Sequence, residues 1–199
     1  MPGTSTQTPL PRLASFADLL AIPEEQRHHE ILDGEIVRKA MAGGEHGLSQ
    51  LCVGRLLDPF GRKPNGSARP GGWWLVSDVE VELAPHEVVR PDVVGWRRER
   101  MPDRPHGFPI RLRPDWVCEI MTDGDARRRD GLQKRRIYAD CGIPHYWLLD
   151  TERERLTVLR LSASGYVEVL AAARGDRARA EPFDVLELQI GVLFGDDAE

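Results

Sequence analysis

The chain has 199 residues, which is long enough for one domain with a buried core. Hydrophobic residues make up 41% of it, charged residues 30%, and the formal net charge is −5; these values exclude a disordered polar chain and a generally basic nucleic-acid binder. No apolar run approaches the roughly 20 residues of a membrane-spanning helix, and no signal peptide is recognisable. We therefore predict a frayed or disordered start over residues 1–14, a single domain over residues 15–199, no membrane contact and a cytoplasmic location.

Cysteine is sparse. Cys52, Cys118 and Cys141 are scattered and form no CxxC pair. Such spacing indicates a reducing compartment and small buried side chains, and it predicts no zinc site.

The first third of the chain predicts two helices and a hairpin. Ser15 caps a short helix, and Asp33-Gly34 is a strong hairpin turn signal. Glu30 precedes that turn, where it could point inward but would more often be an exposed strand acid. His46 stands near the start of a helix that Pro59 and Gly61 would end, and it could approach a site or lie on the surface.

The middle of the chain predicts a second, longer hairpin and a basic loop. One strand is WWLVSDVEVELA, and VVRPDVVGW returns as its antiparallel partner. The loop that follows has no period and four prolines. Residues 97–136 contain 12 Lys or Arg against 7 Asp or Glu, an excess that suits a polyanionic substrate such as DNA, although paired surface charges are the more common explanation for any one arginine.

A strand, a helix and a strand follow over residues 115–150. DWVCEIM and PHYWLLD are buried strands, and the helix between them runs from about Arg127 to Asp140 with Gly142 after it. This order predicts a βαβ unit with parallel strands. A further hairpin and one short strand complete the chain, so the predicted class is α/β, a mixed central sheet flanked by helices with additional β-hairpins.

Two strand carboxylates are the candidates for chemistry. Side chains alternate between the two faces of a strand, so Asp92 shares a face with Val94 and Trp96. Glu119 likewise shares a face with the apolar residues two positions before and after it. A carboxylate on an apolar face is costly unless it is paired, protonated or bound to a metal. Two of them on neighbouring strands could share one Mg²⁺ or Mn²⁺ ion, which prefers oxygen ligands and activates water.

A lysine on the predicted helix could join them. Asp130, Lys134 and Tyr138 lie along one helical stripe, so Lys134 can face the strands while Asp130 positions its amine. Such a lysine would stabilise charge on a phosphate or orient a water. An exposed Asp130–Lys134 surface pair is the alternative.

The order Pro-Asp, strand Glu and Lys resembles the PD-(D/E)XK nuclease superfamily. More closely, the chain resembles the Uma-type restriction endonuclease family, long catalogued as a domain of unknown function. The stretches that carry the resemblance cover most of residues 16–152 and are HEILDGEIV, the EHG that opens a helix, RPDVV, DWVCEIM and RRRDGLQKRRIYADCGIPHYWLLD.

The resemblance implies a restriction-endonuclease-like core with a metal site. Carried over, Asp92 and Glu119 become metal ligands and Lys134 the catalytic lysine, with Glu30 and His46 near the site. The chain departs from the superfamily pattern at Met121, where the lysine usually lies, so Lys134 would have to substitute from the helix.

The family also tends to have Ser-Pro after the strand, where this chain has Thr122-Asp123. Asp123 and Asp125 are then further ligands or, more commonly for such positions, turn residues.

Three functions follow from these residues. The first is a metal-dependent endonuclease that hydrolyses phosphodiester bonds in DNA, for which a homodimer would suit the cutting of both strands. The second is a catalytically silent nuclease fold that binds nucleic acid. The third is an interaction domain in which the polar residues form an internal salt-bridge network. The first requires the two acids and the lysine to converge in a cleft open to solvent.

Overall fold

The structure, a computed structural model, describes residues 12–65, 70–122 and 124–197. Most of the predicted N-terminal segment therefore lies outside the described residues, and Asp123 lies outside them as well. Within the described ranges the strands form one six-stranded, one four-stranded and one two-stranded sheet. The expectation of an α/β fold is confirmed.

Five α-helices lie within the described ranges: α1 Phe16–Leu20, α2 Gly44–Leu56, α3 Asp58–Gly61, α4 Gly124–Arg128 and α5 Arg135–Asp140. A π-helical segment, Arg129–Lys134, joins α4 directly to α5. Two 3₁₀ turns lie at Glu24–Gln26 and Ile190–Phe194. The predicted capping box of α1 is present, with the Asp18 carboxylate 2.8 Å from both the amide and the hydroxyl of Ser15.

The strands, in chain order, are β1 His29–Leu32, β2 Glu35–Arg38, β3 Trp73–Ser77, β4 Val81–Ala84, β5 Glu87–Val89, β6 Val93–Arg97, β7 Trp116–Met121, β8 His145–Asp150, β9 Arg155–Ser162, β10 Gly165–Ala173, β11 Arg177–Ala178 and β12 Leu188–Gln189. The large sheet has the order β10-β9-β8-β7-β6-β3, and the smaller sheet has the order β2-β1-β5-β4. β7 and β8 are parallel, as the predicted βαβ unit requires, whereas the other pairs of the large sheet are antiparallel.

The long central hairpin differs from its prediction. The first predicted strand is two strands, β3 and β4, and its partner is β5 and β6. β4 pairs with β5 in the small sheet, while β3 pairs with β6 in the large sheet. The ribbon changes sheets where Asp78 takes a positive φ of 53° on one strand and Pro91 interrupts the other. Asp92 follows this crossing directly.

Two helix boundaries also differ. Of the two predicted stop residues after α2, Gly61 is the last residue of the helical region, whereas Pro59 lies in the first turn of α3, where a missing amide hydrogen costs nothing. The helical run before β8 begins at Gly124 rather than near Arg127. Gly142 ends it with a φ of 74°, a left-handed conformation that glycine adopts without strain.

The two faces of the large sheet are covered by two different cores. Trp116, Cys118 and Ile120 of β7 point into an apolar core with α2, α3 and the C-terminal segment. Val117 and Met121 of the same strand point into a second core, formed with α4, α5 and part of the small sheet. Across the described ranges, no helix has both the length and the apolar character to cross a membrane.

Candidate active site

Glu119 of β7 lies opposite Asp92, the residue directly before the neighbouring strand β6. β6 and β7 are antiparallel with Val93 opposite Cys118, and continuing that register by one residue places Asp92 opposite Glu119. Residues paired in this way point to the same face of a sheet. Val94 and Val117 pack in the second core on that face, so both carboxylates enter an otherwise apolar region. Each is 1% exposed.

The carboxylate of Asp92 has three partners. Nζ of Lys39 lies 2.7 Å from Oδ1, and Nε2 of His46 lies 3.1 Å from Oδ2. The backbone amide of Ile120 donates to Oδ2 at 2.7 Å, which fixes the carboxylate against β7. Gln50 of α2 donates to the backbone carbonyl of Asp92 at 2.8 Å.

Lys134 stands at the centre of a second cluster. Its Nζ lies 2.8 Å from Oε1 of Glu30, 2.9 Å from Oε1 of Glu119 and 3.6 Å from Oδ1 of Asp130. The hydroxyl of Tyr138 also donates to Oε1 of Glu119, at 2.6 Å. Three acids from β1, β7 and the π-helical segment thus converge on one ammonium group, and Lys134 is 1% exposed.

The backbone of Arg90 joins the two clusters. Its N–H donates to Oε1 of Glu30 at 2.8 Å, and its carbonyl accepts a hydrogen bond from Nζ of Lys39 at 2.5 Å. Among the described residues, Oε2 of Glu30 and Nδ1 of His46 are buried and have no hydrogen-bond partner. The polar groups therefore form one connected site with two unsatisfied atoms.

Burial and neighbouring charge shift the pKa values in opposite directions. Burial raises the pKa of Glu119 to about 8, although the Lys134 ammonium works against this. Burial would also raise the pKa of Asp92, but Lys39 and His46 hold it below its ordinary value. Burial acts to lower the pKa of Lys134, yet the Glu119 and Glu30 carboxylates raise it well above its ordinary value. The pKa of Lys134 thus lies above that of a free lysine, and the pKa of Glu119 lies above that of a free glutamate.

A family model described as "Uma2: Putative restriction endonuclease" matches residues 16–191. The chain belongs to the Uma2 family. A crystal structure described as "a putative nuclease belonging to DUF820" from Anabaena variabilis ATCC 29413 is similar to the whole fold, with a TM-score of 0.65 and 19% sequence identity over 90% of this chain and 97% of that one. No curated protein matches the chain. The resemblance seen in the sequence is thus confirmed, and so is the nuclease-like fold.

This member of the Uma2 family brings all six candidate residues into one site. Asp92 and His46 lie in the first cluster, and Glu30, Glu119, Asp130 and Lys134 lie in the second. Lys134 contacts Glu30 and Glu119 rather than Asp92, whose cation is Lys39. The expected cleft open to solvent is not formed at these groups, because the side chains of Glu30, Asp92, Glu119, Asp130 and Lys134 are at most 3% exposed.

Sequence reasoning missed Lys39, Gln50 and the role of Tyr138. Lys39 lies in an irregular segment just after β2, where no period indicates which way a side chain points. Gln50 could have been found, because it follows His46 by one helical turn and so shares its face. Tyr138 was on the predicted stripe with Lys134, but its bond to Glu119 required knowledge of the packing.

A divalent ion does not fit these residues as they stand. Restriction-endonuclease-like families generally use such ions. Here, however, Lys39, His46 and the Ile120 amide take both oxygens of Asp92, and Lys134 lies between Glu30 and Glu119. Nowhere in the described part of the chain are three or more His, Cys, Asp or Glu side chains grouped to hold a metal ion.

Two adjoining pockets open beside the buried site. One, of about 430 Å³, is lined by Arg38, Lys39 and Arg129. The other, of about 660 Å³, is lined by Arg128 and Arg136 and shares Asp125 and Arg129 with the first.

The cations around these pockets come mainly from the helical run after β7. The basic loop does not supply them. Its Arg100 pairs with Asp115 at 2.5 Å, and its Arg98 stacks on Trp74. Arg97, the last residue of β6, stacks on Trp73.

Proposed function

We propose that this protein is a nuclease that hydrolyses phosphodiester bonds in DNA, with Mg²⁺ or Mn²⁺ as its cofactor. The observation that carries the proposal is the convergence of Asp92, Glu119 and Lys134, which come from three separate elements. Buried charges of this kind add little net stability, so their presence together is better explained by chemistry. Membership of the Uma2 family supports the same reaction class.

The side chains have distinct proposed roles. Lys134 is the fixed positive charge that stabilises negative charge developing on a phosphate oxygen. Glu119 can carry a proton near neutral pH, which suits a group that gives a proton to, or takes one from, a reacting oxygen. Glu30 and Asp130 hold Lys134 in place, and Asp92 is a proposed metal ligand together with Glu119. These roles require the Lys39–Asp92 and Lys134–Glu119 ion pairs to rearrange when substrate and metal enter.

The arginine-lined pockets support a polyanionic substrate. Arg38, Arg128, Arg129 and Arg136 lie around them, next to Lys39. Guanidinium groups bind phosphate oxygens through two parallel hydrogen bonds, and clusters of them bind nucleic acid through its backbone. Asp125 and Asp33 lie among these arginines and reduce the local charge. We infer that the strand passes over these two pockets.

Cleavage of plasmid and of labelled oligonucleotides tests the proposal. Wild-type protein is expected to cut DNA when Mg²⁺ or Mn²⁺ is added, and Asp92→Ala is expected to lose all cutting. Glu119→Gln should fold and bind DNA but not cut it. Absence of cutting by the wild type with either ion, or equal cutting by Asp92→Ala, would refute the proposal. RNA of the same sequence serves as the second substrate.

A catalytically silent binding module is the second candidate. The observation that favours it is the pairing of each candidate ligand with a lysine, Asp92 with Lys39 and Glu119 with Lys134. Binding of DNA that depends on Arg128 and Arg129, measured by fluorescence anisotropy and accompanied by no hydrolysis, would select this function. Salt dependence would identify phosphate contacts, because each one lost reduces the slope of affinity against salt.

Assembly and domain extent belong to the same proposal. We infer that residues 15–199 form one domain and that two copies associate to cut both strands of a duplex. Light scattering with and without a DNA duplex measures the assembly. A monomer in both conditions that still cuts both strands at one position would contradict the dimer.

A further inference from the structure

Lysine is rare in this chain and unusually placed. The 27 basic side chains include only three lysines, Lys39, Lys63 and Lys134, and the rest are arginines. Lys39 is 7% exposed and Lys134 is 1% exposed, whereas Lys63 is exposed. A lysine ammonium is a compact point charge, unlike the planar guanidinium of arginine. The two buried lysines therefore sit where a small cation is required.

The surroundings of Lys39 resemble a cation site made of oxygens. Its Nζ lies 2.5 Å from the carbonyl oxygen of Arg90, 2.7 Å from Oδ1 of Asp92 and 3.7 Å from Oδ1 of Asp78. Carboxylate and carbonyl oxygens are the ligands that Mg²⁺ and Mn²⁺ prefer. All three residues lie in the two links at the sheet crossing, between β3 and β4 and between β5 and β6. The Ile120 amide and His46 also contact the Asp92 carboxylate, so it is held independently of Lys39.

Glu30 provides a second, independent sign of cation binding next to this site. Its Oε2 is buried without a partner, and its Oε1 accepts the backbone N–H of Arg90, the residue whose carbonyl contacts Lys39. A buried carboxylate oxygen without a donor is costly. The oxygen set around the Arg90 backbone therefore has room for more positive charge than the lysines supply.

Lys39 is the buried lysine that can leave. Lys134 is held in the helical run by three acids from three elements. Lys39 lies outside any strand or helix and lines the pocket of about 430 Å³ with Ala40 and Met41, both of which are exposed. Rotation of its side chain into that pocket would carry the ammonium into water without moving the backbone of a strand.

We propose that the Lys39 ammonium occupies the position of a divalent cation at Asp92, and that a divalent ion binds only when Lys39 moves into the adjoining pocket. One cation replaces another, and no covalent bond changes. The inference rests on the proposed function, because it concerns the carboxylate assigned there as a metal ligand. It explains why the metal site is not formed in the arrangement described above.

Binding of Mn²⁺ to the full chain tests the exchange without any cleavage assay. Isothermal titration is carried out on wild type, Lys39→Met and Lys39→Arg, with Lys63→Met as the matched control. If the open arrangement is populated at up to about 10%, removing Lys39 should tighten Mn²⁺ binding by about tenfold or more. Lys63→Met should bind as the wild type does, and Lys39→Arg should show no gain.

Two further variants make the result decisive. Asp92→Asn added to Lys39→Met should abolish the gain, which locates the ion at Asp92. Because Lys39→Met leaves the carboxylate without its cation, Mn²⁺ should raise the melting temperature of this variant more than that of the wild type. If Lys39→Met does not fold, Lys39→Gln takes its place in the same titration.

The outcomes separate this inference from the proposed function. Mn²⁺ binding that is no tighter in Lys39→Met and Lys39→Gln than in wild type overturns the exchange, as does a gain that survives Asp92→Asn. Tighter binding with no DNA cutting by any variant would leave the exchange standing and remove the nuclease. DNA cutting by wild type, together with Mn²⁺ binding that is no tighter in the lysine variants, would overturn the exchange and leave the nuclease standing.

Discussion

The two faces of strand β7 differ in what they hold, although they belong to the same six residues. On one face Trp116, Cys118 and Ile120 contact an apolar core that includes Phe183. On the other face Glu119 lies between Val117 and Met121 and contacts a lysine and a tyrosine. The sequence alternates between the two environments residue by residue.

The comparison shows which face serves stability. Burial of aromatic and aliphatic side chains stabilises a fold by about 25 cal/mol for each Å² removed from water. A buried ion pair recovers from Coulomb attraction roughly what its desolvation costs, so it gives little net gain. The apolar face therefore holds the sheet together, and the charged face is retained for what it can do. Substitutions that change one face of β7 alone can therefore separate the role in stability from the role in function.

The largest effect on stability is expected from Phe183→Ala. Phe183 is fully buried, and its ring contacts four other aromatic rings, those of Phe60, Trp73, Trp116 and Trp147. Its truncation should lower the free energy of unfolding by about 3–5 kcal/mol. Urea denaturation measures the loss, and Val185→Ala, an exposed position nearby, is the control. Residual folded protein should still cut DNA, and a loss below about 1 kcal/mol would show that this face does not carry the fold.

Lys134→Met should be nearly as destabilising for a different reason. It leaves the Glu30 carboxylate buried without its cation, which costs about 3 kcal/mol. Adding Glu30→Gln removes the uncompensated charge and should restore part of the loss, because two neutral side chains are tolerated better than one unpaired charge. Urea denaturation of the single and double variants gives the interaction free energy between the two side chains. Independent, additive losses would argue that the two groups do not interact.

The pH dependence should be smaller and should come from Glu119. Its pKa rises on folding from 4.5 to about 8, so the folded state holds a proton that the unfolded state releases across that range. Stability contributed by this group is therefore lost as pH rises from about 5 to 8, with a slope of at most about 1.4 kcal/mol per pH unit. Glu119→Gln should give a shallower slope in urea titrations at several pH values. An unchanged slope would assign the proton to another group.

The smallest effect is expected at the surface, from Asp33→Asn, because asparagine keeps the left-handed φ of 56° that the hairpin turn requires at this position. Asp33 pairs with Arg136 and accepts a hydrogen bond from Gln133 at 3.0 Å, but the Asp33 and Arg136 side chains are both exposed. Removal of an exposed pair should change the free energy of unfolding by less than about 1 kcal/mol. DNA binding should tighten slightly, because the pocket loses a negative charge. Fluorescence anisotropy measures this change, and weaker binding would place the strand elsewhere.

Local signals in the sequence predicted much of the fold. Asp33-Gly34 forms the expected hairpin turn, and the parallel pairing of β7 and β8 follows from the strand-helix-strand order. The division of the long hairpin between two sheets was not predictable, because it depends on one left-handed residue, Asp78, and on which sheet each half finds as a neighbour. Alternation is the same whether a ribbon stays in one sheet or changes to another.

The candidate site divides in a similar way. Strand alternation placed Asp92 and Glu119 on one face, and the helical stripe placed Lys134 towards them. The expected cleft open to solvent was wrong, because β1 and the segment of Lys39 pack over these side chains, and those contacts are distant in sequence. Glu30 illustrates the difficulty, since an inward and an outward strand acid have the same local pattern and only its ion pair with Lys134 distinguishes them.

The π-helical turn over Arg129–Lys134 affects how the helical run tolerates a change in its length. Such a turn accommodates one residue more than a regular α-helix does. Deletion of one residue within it, for example Gly131, would place Asp130 three residues before Lys134 instead of four. Residues three and four apart both lie on one helix face, so Asp130 would stay beside Lys134 and Tyr138 would keep its place. The buried cluster should therefore survive the loss of one residue at this turn.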